Sequence, residues 1–303
     1  MASTRRPETR SGPIRVGLHV LGIGTGSKPE IMTAVARAAD RHGFATLWCG
    51  EHVVMVEVPA SRYPYSADGK IAVPADADWL DPLLGLSFLA AVTSRIRLAT
   101  GILLLPEHNP LLVAKQAATL DVLSAGRFIL GVGIGWSADE FNALRIPFAR
   151  RAERTREYVN AIRHVWAEDV ASFAGEFVKF EAVRVYPKPV RDRKVPVVIG
   201  GTSEAALERV AAFGDGWYGF NLPTAAVGER IGLLAQQCRR HRRDVRGLHL
   251  AVSLSDGSPG DLPELAAAGV TELVIVAEPP AEPQAATDWV AHLADRWLTS
   301  PGR

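Results

Sequence analysis

The sequence has few cysteines, no excess of charge of either sign and no long apolar run. Its two cysteines, Cys49 and Cys238, lie far apart without the spacing of a metal site, which favours free thiols in a reducing compartment. Lysine and arginine number 34 and aspartate and glutamate 33, so the charge gives no reason to expect a nucleic acid or an acidic membrane surface as partner. No apolar run is long enough to cross a membrane. We expect neither a metal centre nor a membrane partner.

The N-terminal segment also lacks the features of a targeting sequence. It reads MASTRRPETRSG, which is polar and has no apolar core behind it. We therefore predict a disordered tail over residues 1–13 and a cytoplasmic protein.

What the sequence does contain is a regular alternation of short apolar runs and segments with helical period. A run that is apolar at every position is typical of a strand buried on both faces of a parallel sheet. Eight such runs occur, over residues 14–20, 44–49, 96–105, 128–132, 195–199, 216–220, 248–253 and 271–276. This count predicts one α/β domain over residues 14–303, a (β/α)8 TIM barrel. A doubly wound open sheet is the alternative, disfavoured because no GxGxxG motif follows the first strand.

Two segments interrupt this alternation. Residues 170–194 predict a hairpin inserted outside the barrel near its mouth. Residues 53–79 form a long irregular stretch, and a loop of that length within a compact domain is typical of a lid or binding loop.

Glycines and titratable side chains follow several of the predicted strands. Ligands of parallel α/β proteins bind where the strands end, and backbone N–H groups at a helix start bind anions. The alternative interpretations are a tight turn and an ordinary capped helix start. The segments concerned are Gly50-Glu51-His52, Pro106-Glu107-His108-Asn109-Pro110, Gly133-Ile134-Gly135-Trp136 and Gly200-Gly201-Thr202-Ser203, the last with Ser203 as helix cap.

Four segments, in order and at these spacings, resemble the luciferase-like superfamily of flavin- and deazaflavin-dependent oxidoreductases. Within it the chain is most similar to members that use coenzyme F420. The segments are GFATLWCGEH (43–52), RIRLATGILLLPEHNPLLVAKQAATLDVLSAGRFILGVGIGW (95–136), EFNALRIPFARRAERTREYV (140–159) and PVVIGGTSEAALERVAAFGDGW (196–217).

The resemblance implies where the cofactor binds. The ring would lie over the C-terminal mouth of the barrel, against a non-prolyl cis peptide at Gly101-Ile102. The phosphate would lie against residues 133–136 and 200–202, that is Gly133, Ile134, Gly135 and Trp136 with Gly200, Gly201 and Thr202. An ordinary strand pair at 101–102 is the alternative.

The resemblance also implies a histidine near the ring, which His52 matches. We predict His52 as the catalytic proton donor or acceptor, with Glu107 or His108 in reserve, whereas a structural role is the alternative for a lone histidine. Relatives often carry an aromatic residue or an arginine before Asn109-Pro110, so the segment containing Glu107 and His108 departs from the pattern.

Other matching residues have structural interpretations. Asp121 and Arg127 are expected to pair across a turn. Arg151, Arg154 and Glu157 are expected to lie mostly on a solvated helix face.

The sequence thus predicts hydride transfer between coenzyme F420 and a small organic substrate. An FMN-dependent monooxygenase that activates dioxygen and a flavin-binding barrel without turnover are the alternatives. A homodimer stays open, and the substrate is not indicated.

Overall fold

The computed structural model describes residues 13–299, so the predicted tail lies outside the described residues except for Pro13. Apolar runs form strands and amphipathic segments form helices, much as the alternation predicts. The strands are β1 Arg15–His19, β2 Thr46–Cys49, β3 Arg97–Thr100, β4 Leu103–Leu104, β5 Phe128–Gly133, β6 Ala171–Ala174, β7 Lys179–Val183, β8 Val197–Gly200, β9 Gly216–Leu222, β10 His249–Leu254 and β11 Glu272–Val276. The α-helices are α1 Pro29–His42, α2 Pro82–Val92, α3 Pro110–Leu123, α4 Ala138–Ala143, α5 Arg151–Ala167, α6 Glu204–Phe213, α7 Thr224–Arg240, α8 Leu262–Ala268 and α9 Pro283–Leu298.

The main sheet closes on itself as a parallel barrel. Hydrogen-bonded neighbours run in the order β3-β2-β1-β11-β10-β9-β8-β5, and β3 also pairs with β5. The short β4 continues the path of β3 beside β5. The (β/α)8 barrel is therefore confirmed, and the open sheet is wrong. None of the helices within residues 13–299 is long and apolar enough to span a membrane.

Local signals explain several helix boundaries. The side chain of Asn109 accepts hydrogen bonds from the N–H groups of Leu111 and Leu112, and Pro110 occupies the first turn of α3. Gly43 ends α1 in the left-handed conformation with φ of 83°, which a glycine adopts without steric cost. These boundaries fix where the flanking strands begin and end.

The segment at 170–194 lies outside the barrel wall, as predicted. Strands β6 and β7 pair with each other in an antiparallel hairpin and with no strand of the barrel. The hairpin turn is held by Glu157 on α5, whose carboxylate accepts hydrogen bonds from the backbone N–H groups of residues 176–178. The turn therefore lies against α5.

The barrel interior is filled by side chains from alternate positions of the strands. Trp48 and Tyr218 stack at the centre with ring centroids 4.7 Å apart. Small and branched residues complete this cluster, namely Ala99, Ile129, Val198, Ala251 and Val274. The barrel is thus a packed core and not a pore.

A buried carboxylate closes the end of the barrel opposite the mouth. Glu272 has no exposed surface and accepts hydrogen bonds from Trp48 Nε1 at 2.9 Å, Arg97 Nη2 at 2.7 Å and His249 Nε2 at 2.9 Å. Thr46 Oγ1 donates a fourth at 3.1 Å. Burial by itself would raise the pKa of Glu272, but the hydrogen bond and charge of His249 and the charge of Arg97 outweigh it and lower that pKa to about 2. We call this group the floor cluster.

Two expected surface features differ in the structure. Asp121 and Arg127 do not pair: Asp121 accepts a hydrogen bond from Val190 N, whereas Arg127 donates to backbone carbonyls of residues 90, 93, 96 and 124. Arg154 is buried against Pro147 instead of lying on a solvated face. Both arginines turn inward because unpaired backbone carbonyls need donors there.

Replacing Glu272 with glutamine should destabilise the fold by about 3 kcal/mol at neutral pH, since Arg97 and His249 would lose a buried counter-charge. The stabilisation is present above pH 4.5, the unfolded value, and is lost as the pH falls towards 2. Denaturant unfolding of wild type and Glu272→Gln should therefore converge in acid. The control is Glu208→Gln, which breaks an exposed pair with His241 and should cost less than about 1 kcal/mol. A Glu272→Gln variant as stable as wild type at pH 7 would contradict the role of the floor cluster.

Candidate active site at the barrel mouth

The C-terminal ends of the strands bring the predicted site residues to one end of the barrel. The peptide bond between Gly101 and Ile102 is cis and separates β3 from β4. The Ile102 side chain packs against Gly133 and Gly200, where an ideal Cβ on Gly200 would lie 2.9 Å from Ile102 Cγ2 and one on Gly133 would overlap Ile102 Cδ1. Glycine is therefore required at positions 133 and 200 because the Ile102 side chain occupies the space that a Cβ would need. Ile102 in turn covers the packed barrel interior.

The two predicted glycine turns also need glycine for their backbone shape. Gly135 has φ of 75° and Gly201 has φ of 113°, both in the region that side chains disfavour. Ser203 follows as the helix cap, accepting a hydrogen bond from Ala206 N, as predicted. The free N–H groups at the start of α6 thus point out of the helix beside the mouth.

His52 lies at the mouth, where a side chain that the sequence did not indicate holds it. Its Nδ1 is 2.8 Å from Glu140 Oε2, and its ring contacts Trp79 and Trp136 edge to face at 4.8 Å and 5.7 Å. Glu140 lies in the first turn of α4, a helix that the sequence analysis did not predict. His52 Nε2 makes no hydrogen bond with any residue in the range 13–299. The imidazole is therefore oriented through one nitrogen while the other stays available.

Glu140 also anchors the 53–79 loop. Its Oε1 accepts hydrogen bonds from Val53 N and Val54 N at 2.7 Å and 3.2 Å. Further along the loop, Ser61 N donates to Asp139 and Ser61 Oγ accepts from Ala138 N. The loop is thus tied to α4 at two points.

The loop places aromatic rings over the mouth. Tyr63 contacts Trp136 with centroids 5.3 Å apart, and Tyr65 contacts Phe220 at 5.5 Å. The two tyrosines meet each other at 5.4 Å, and burial raises the pKa of Tyr63 to about 12. These contacts form a continuous aromatic wall.

Glu107 and His108 are neighbours in the chain but have different surroundings. His108 Nε2 is 3.0 Å from Glu51 Oε1, and Glu51 also accepts a hydrogen bond from Leu104 N at 2.6 Å. Burial by itself lowers the pKa of His108, but the hydrogen bond to Glu51 outweighs it and the net shift is upward. The pair of His108 and Glu51 therefore has the contacts of a structural ion pair and not those of a free acid or base.

Glu107, by contrast, has no partner. Neither carboxyl oxygen makes a hydrogen bond with a residue in the described part of the chain. Burial, followed by the charges of Glu140 and Glu51, raises the pKa of Glu107 to about 9. The group is therefore a neutral acid at pH 7 and has a proton to donate. An ideal Cβ on Gly135 would lie 3.3 Å from its Oε1, so Glu107 is adjacent to the first glycine turn.

Two arginines that the sequence analysis did not assign to the site lie beside the glycine turns. Arg151 Nε donates to Gly135 O at 3.0 Å, and its guanidinium stacks 3.7 Å from the ring of Phe148. Arg209 on α6 has a buried Nε without a hydrogen-bond partner among the described residues. Burial first, and then the charge of Arg151, lowers the pKa of Arg209. We had expected Arg151 to lie on a solvated helix face, and this expectation is wrong.

Neither of these arginines forms an ion pair with a carboxylate within residues 13–299. Tyr65 lies near Arg209, and its hydroxyl is 3.9 Å from an ideal Cβ on Gly201. Two neighbouring cations without a counter-charge, next to backbone N–H groups, are a suitable environment for an anion.

The chain belongs to the luciferase-like monooxygenase family, whose sequence pattern matches residues 16–289. Members of this family are oxidoreductases that act on small molecules and bind flavin or F420 cofactors.

Similar proteins are known both from sequence and from solved structures. An uncharacterized protein of Mycobacterium tuberculosis is 38% identical over 244 residues, which cover 80% of this chain and 85% of that protein. The F420-dependent tetrahydromethanopterin reductase of Methanopyrus kandleri superposes with a TM-score of 0.73 at 16% identity, covering 95% of this chain and 99% of that one. Monooxygenase RslO1 of Streptomyces bottropensis gives the same TM-score of 0.73 at 20% identity, again covering 95% and 99%. At these identities the two structures establish the fold alone.

The unusual state of Glu107 predicts a pH dependence of stability. Between pH 4.5, where the unfolded chain titrates, and about 9, the folded protein holds a proton that the unfolded chain has lost. Stability should therefore fall as the pH rises through this range, by up to about 1.4 kcal/mol per pH unit. We expect the free energy of unfolding, measured by denaturant titration, to decrease less from pH 6 to pH 9 in Glu107→Gln than in wild type.

Glu264 on α8 is exposed, and Glu264→Gln should keep the wild-type pH dependence. Equal slopes for wild type and Glu107→Gln would mean that Glu107 is ionised in the folded protein.

Proposed function

We propose that this protein is an oxidoreductase that transfers a hydride between coenzyme F420 and a small organic substrate at the barrel mouth. The observation that carries the proposal is the pair Arg151 and Arg209. Their guanidinium groups lie beside two glycine turns without a carboxylate partner in the described chain. A phosphate-bearing cofactor would supply the missing negative charge.

The residues present fit such a cofactor. Ile102 offers an apolar platform next to the cis peptide, and the turns at 133–136 and 200–202 would hold the phosphate together with the two arginines. The bound ring would supply the hydride chemistry, while the protein orients it and manages protons.

The protein's own contribution would come from two titratable groups. His52 is oriented through Nδ1 by Glu140, so its Nε2 would give a proton to the substrate or take one from it. Glu107 is the reserve, because burial keeps it protonated at neutral pH. His108 is engaged with Glu51 and is the least suited of the three predicted residues.

F420 is preferred over FMN on the resemblance of the sequence and on its composition. The arginine- and alanine-rich composition is typical of actinobacteria, in which the deazaflavin is made, and the similar Mycobacterium protein agrees with such a source. The family description favours a second candidate, an FMN-dependent monooxygenase that activates dioxygen. Both cofactors carry a phosphate, so the arginine pair would accept either.

Titration of the apo-protein with both cofactors separates these candidates. We expect F420 to bind with a dissociation constant in the low-micromolar range or below, and FMN to bind at least tenfold more weakly, about 1.4 kcal/mol. Fluorescence of each cofactor is the measurement. Tighter binding of FMN, or oxygen uptake with reduced FMN and a substrate, would make the protein a monooxygenase. Binding without any substrate oxidation would favour a flavin-binding barrel without turnover.

The arginine pair gives a second test. Arg209→Gln should weaken FMN binding about tenfold and leave riboflavin binding almost unchanged, since riboflavin has the same ring but no phosphate. Arg156→Gln, on the exposed side of α5, is the matched control and should bind both as wild type does. Equal losses for FMN and riboflavin would place the phosphate elsewhere.

A further inference from the structure

His19, at the end of β1, lies in the middle of the mouth in a space left by two glycines. An ideal Cβ on Gly50 would lie 3.2 Å from His19 Nε2, and one on Gly101 would lie 3.4 Å from His19 Cε1. Gly101 begins the cis peptide. The imidazole therefore borders the platform on which the proposed ring would rest.

The charge state of His19 follows from its burial. Burial lowers the pKa of His19 to about 4, so the imidazole is neutral near pH 7. Its Nδ1 is 3.0 Å from the Tyr218 hydroxyl. Burial also raises the pKa of Tyr218, so that hydroxyl keeps its proton. A neutral imidazole has one donor nitrogen and one acceptor nitrogen, and the direction of this bond decides which is which.

Neighbouring groups favour one direction. Asn221 N donates a hydrogen bond to Ser253 Oγ at 2.8 Å, and Ser253 also interacts with the Tyr218 hydroxyl. Because its oxygen already accepts from Asn221, the Ser253 hydroxyl is suited to donate its own proton to Tyr218. Tyr218 would then donate to His19 Nδ1, and the His19 proton would be on Nε2.

The Nε2–H group has no hydrogen-bond partner among residues 13–299. The His19 side chain is partly exposed, and its Nε2 lies next to Gly50 and the cis peptide. A ring bound over this position would exclude water from the donor and would have to supply an acceptor, because a buried donor without a hydrogen bond is unfavourable.

We propose that His19 Nε2–H donates a hydrogen bond to an oxygen or nitrogen acceptor on the cofactor ring, and that the chain Asn221–Ser253–Tyr218 fixes the tautomer that makes this possible. The proposal rests on the proposed function, because the ring is its ligand. Riboflavin, FMN and F420 all carry such acceptors on their rings. The contact with His19 would therefore depend on the ring and not on the phosphate tail.

The tautomer is tested in the free protein, without any cofactor. Histidine labelled with nitrogen-15 gives different resonances for Nδ1–H, Nε2–H and the doubly protonated ring, and His19→Phe assigns the His19 signals. We expect the Nε2–H form in wild type at pH 7 and a mixture of both neutral forms in Tyr218→Phe. An Nδ1–H or charged His19 in wild type would overturn the proposal.

The ring contact is tested with riboflavin, FMN and F420 as probes. Each ligand that binds should shift the His19 Nε2–H resonance, and His19→Phe should weaken the binding of each about five- to tenfold. His19→Gln, which keeps an N–H donor, should bind more tightly than His19→Phe and shows that the loss comes from the donor. Arg209→Gln should instead weaken only FMN and F420.

The outcomes separate the two proposals. If the ligands bind wild type and His19→Phe with equal affinity and identical absorption spectra, the His19 contact is wrong while the proposed function stands. If wild type binds none of the three probes, the proposed function fails and the ring contact with it.

Discussion

The buried carboxylate of Glu272 is the interaction on which the interior of the barrel depends. It accepts hydrogen bonds from residues at the starts of β3 and β10 and from two residues of β2, and so joins these three strands to β11. One of its donors, Trp48, stacks on Tyr218, and Tyr218 bonds to His19. A continuous column of side chains therefore runs from the floor cluster to the mouth. The position of His19 at the mouth is therefore fixed both by its own strand and by the side chains packed between it and the floor cluster.

The mouth itself concentrates three carboxyl groups in a region of low polarity. Glu51 and Glu140 each face a histidine, whereas Glu107 has no such partner in the described chain. Burial first, and then the charges of Glu140 and Glu51, raises the pKa of Glu107, so this carboxyl keeps its proton. This arrangement leaves the site with one neutral acid and two oriented imidazoles. The cationic groups, Arg151 and Arg209, lie on the side of the glycine turns.

Features set by neighbours in the sequence were predictable, and features set by distant contacts were not. The starts of α3 and α6 are signalled locally, by Asn109 and Pro110 for α3 and by Ser203 for α6. The strand ends followed from the apolar runs, and the motif at 101–102 was correctly expected to be cis. The 96–105 run, however, is broken there into β3 and β4.

The partners of the site residues lie far along the chain. Glu140 is 88 residues from His52, and Tyr218 is 199 residues from His19, so no local pattern links them. Arg127 and Arg154 were misjudged for the related reason that their acceptors are backbone carbonyls, which every sequence contains. Arg209 gave no signal at all, since an arginine on an amphipathic helix is ordinarily solvated.

The double attachment of the 53–79 loop to α4 has a consequence for how such a protein could be diversified. Glu140 and Asp139 hold the backbone of the loop near Val53 and Ser61, and Glu140 also holds His52. A loop transplanted from a relative would arrive without its matching anchor points and would disturb the histidine at the same time. The unit to exchange is therefore the loop together with α4, two pieces that are separated in sequence but joined by these hydrogen bonds.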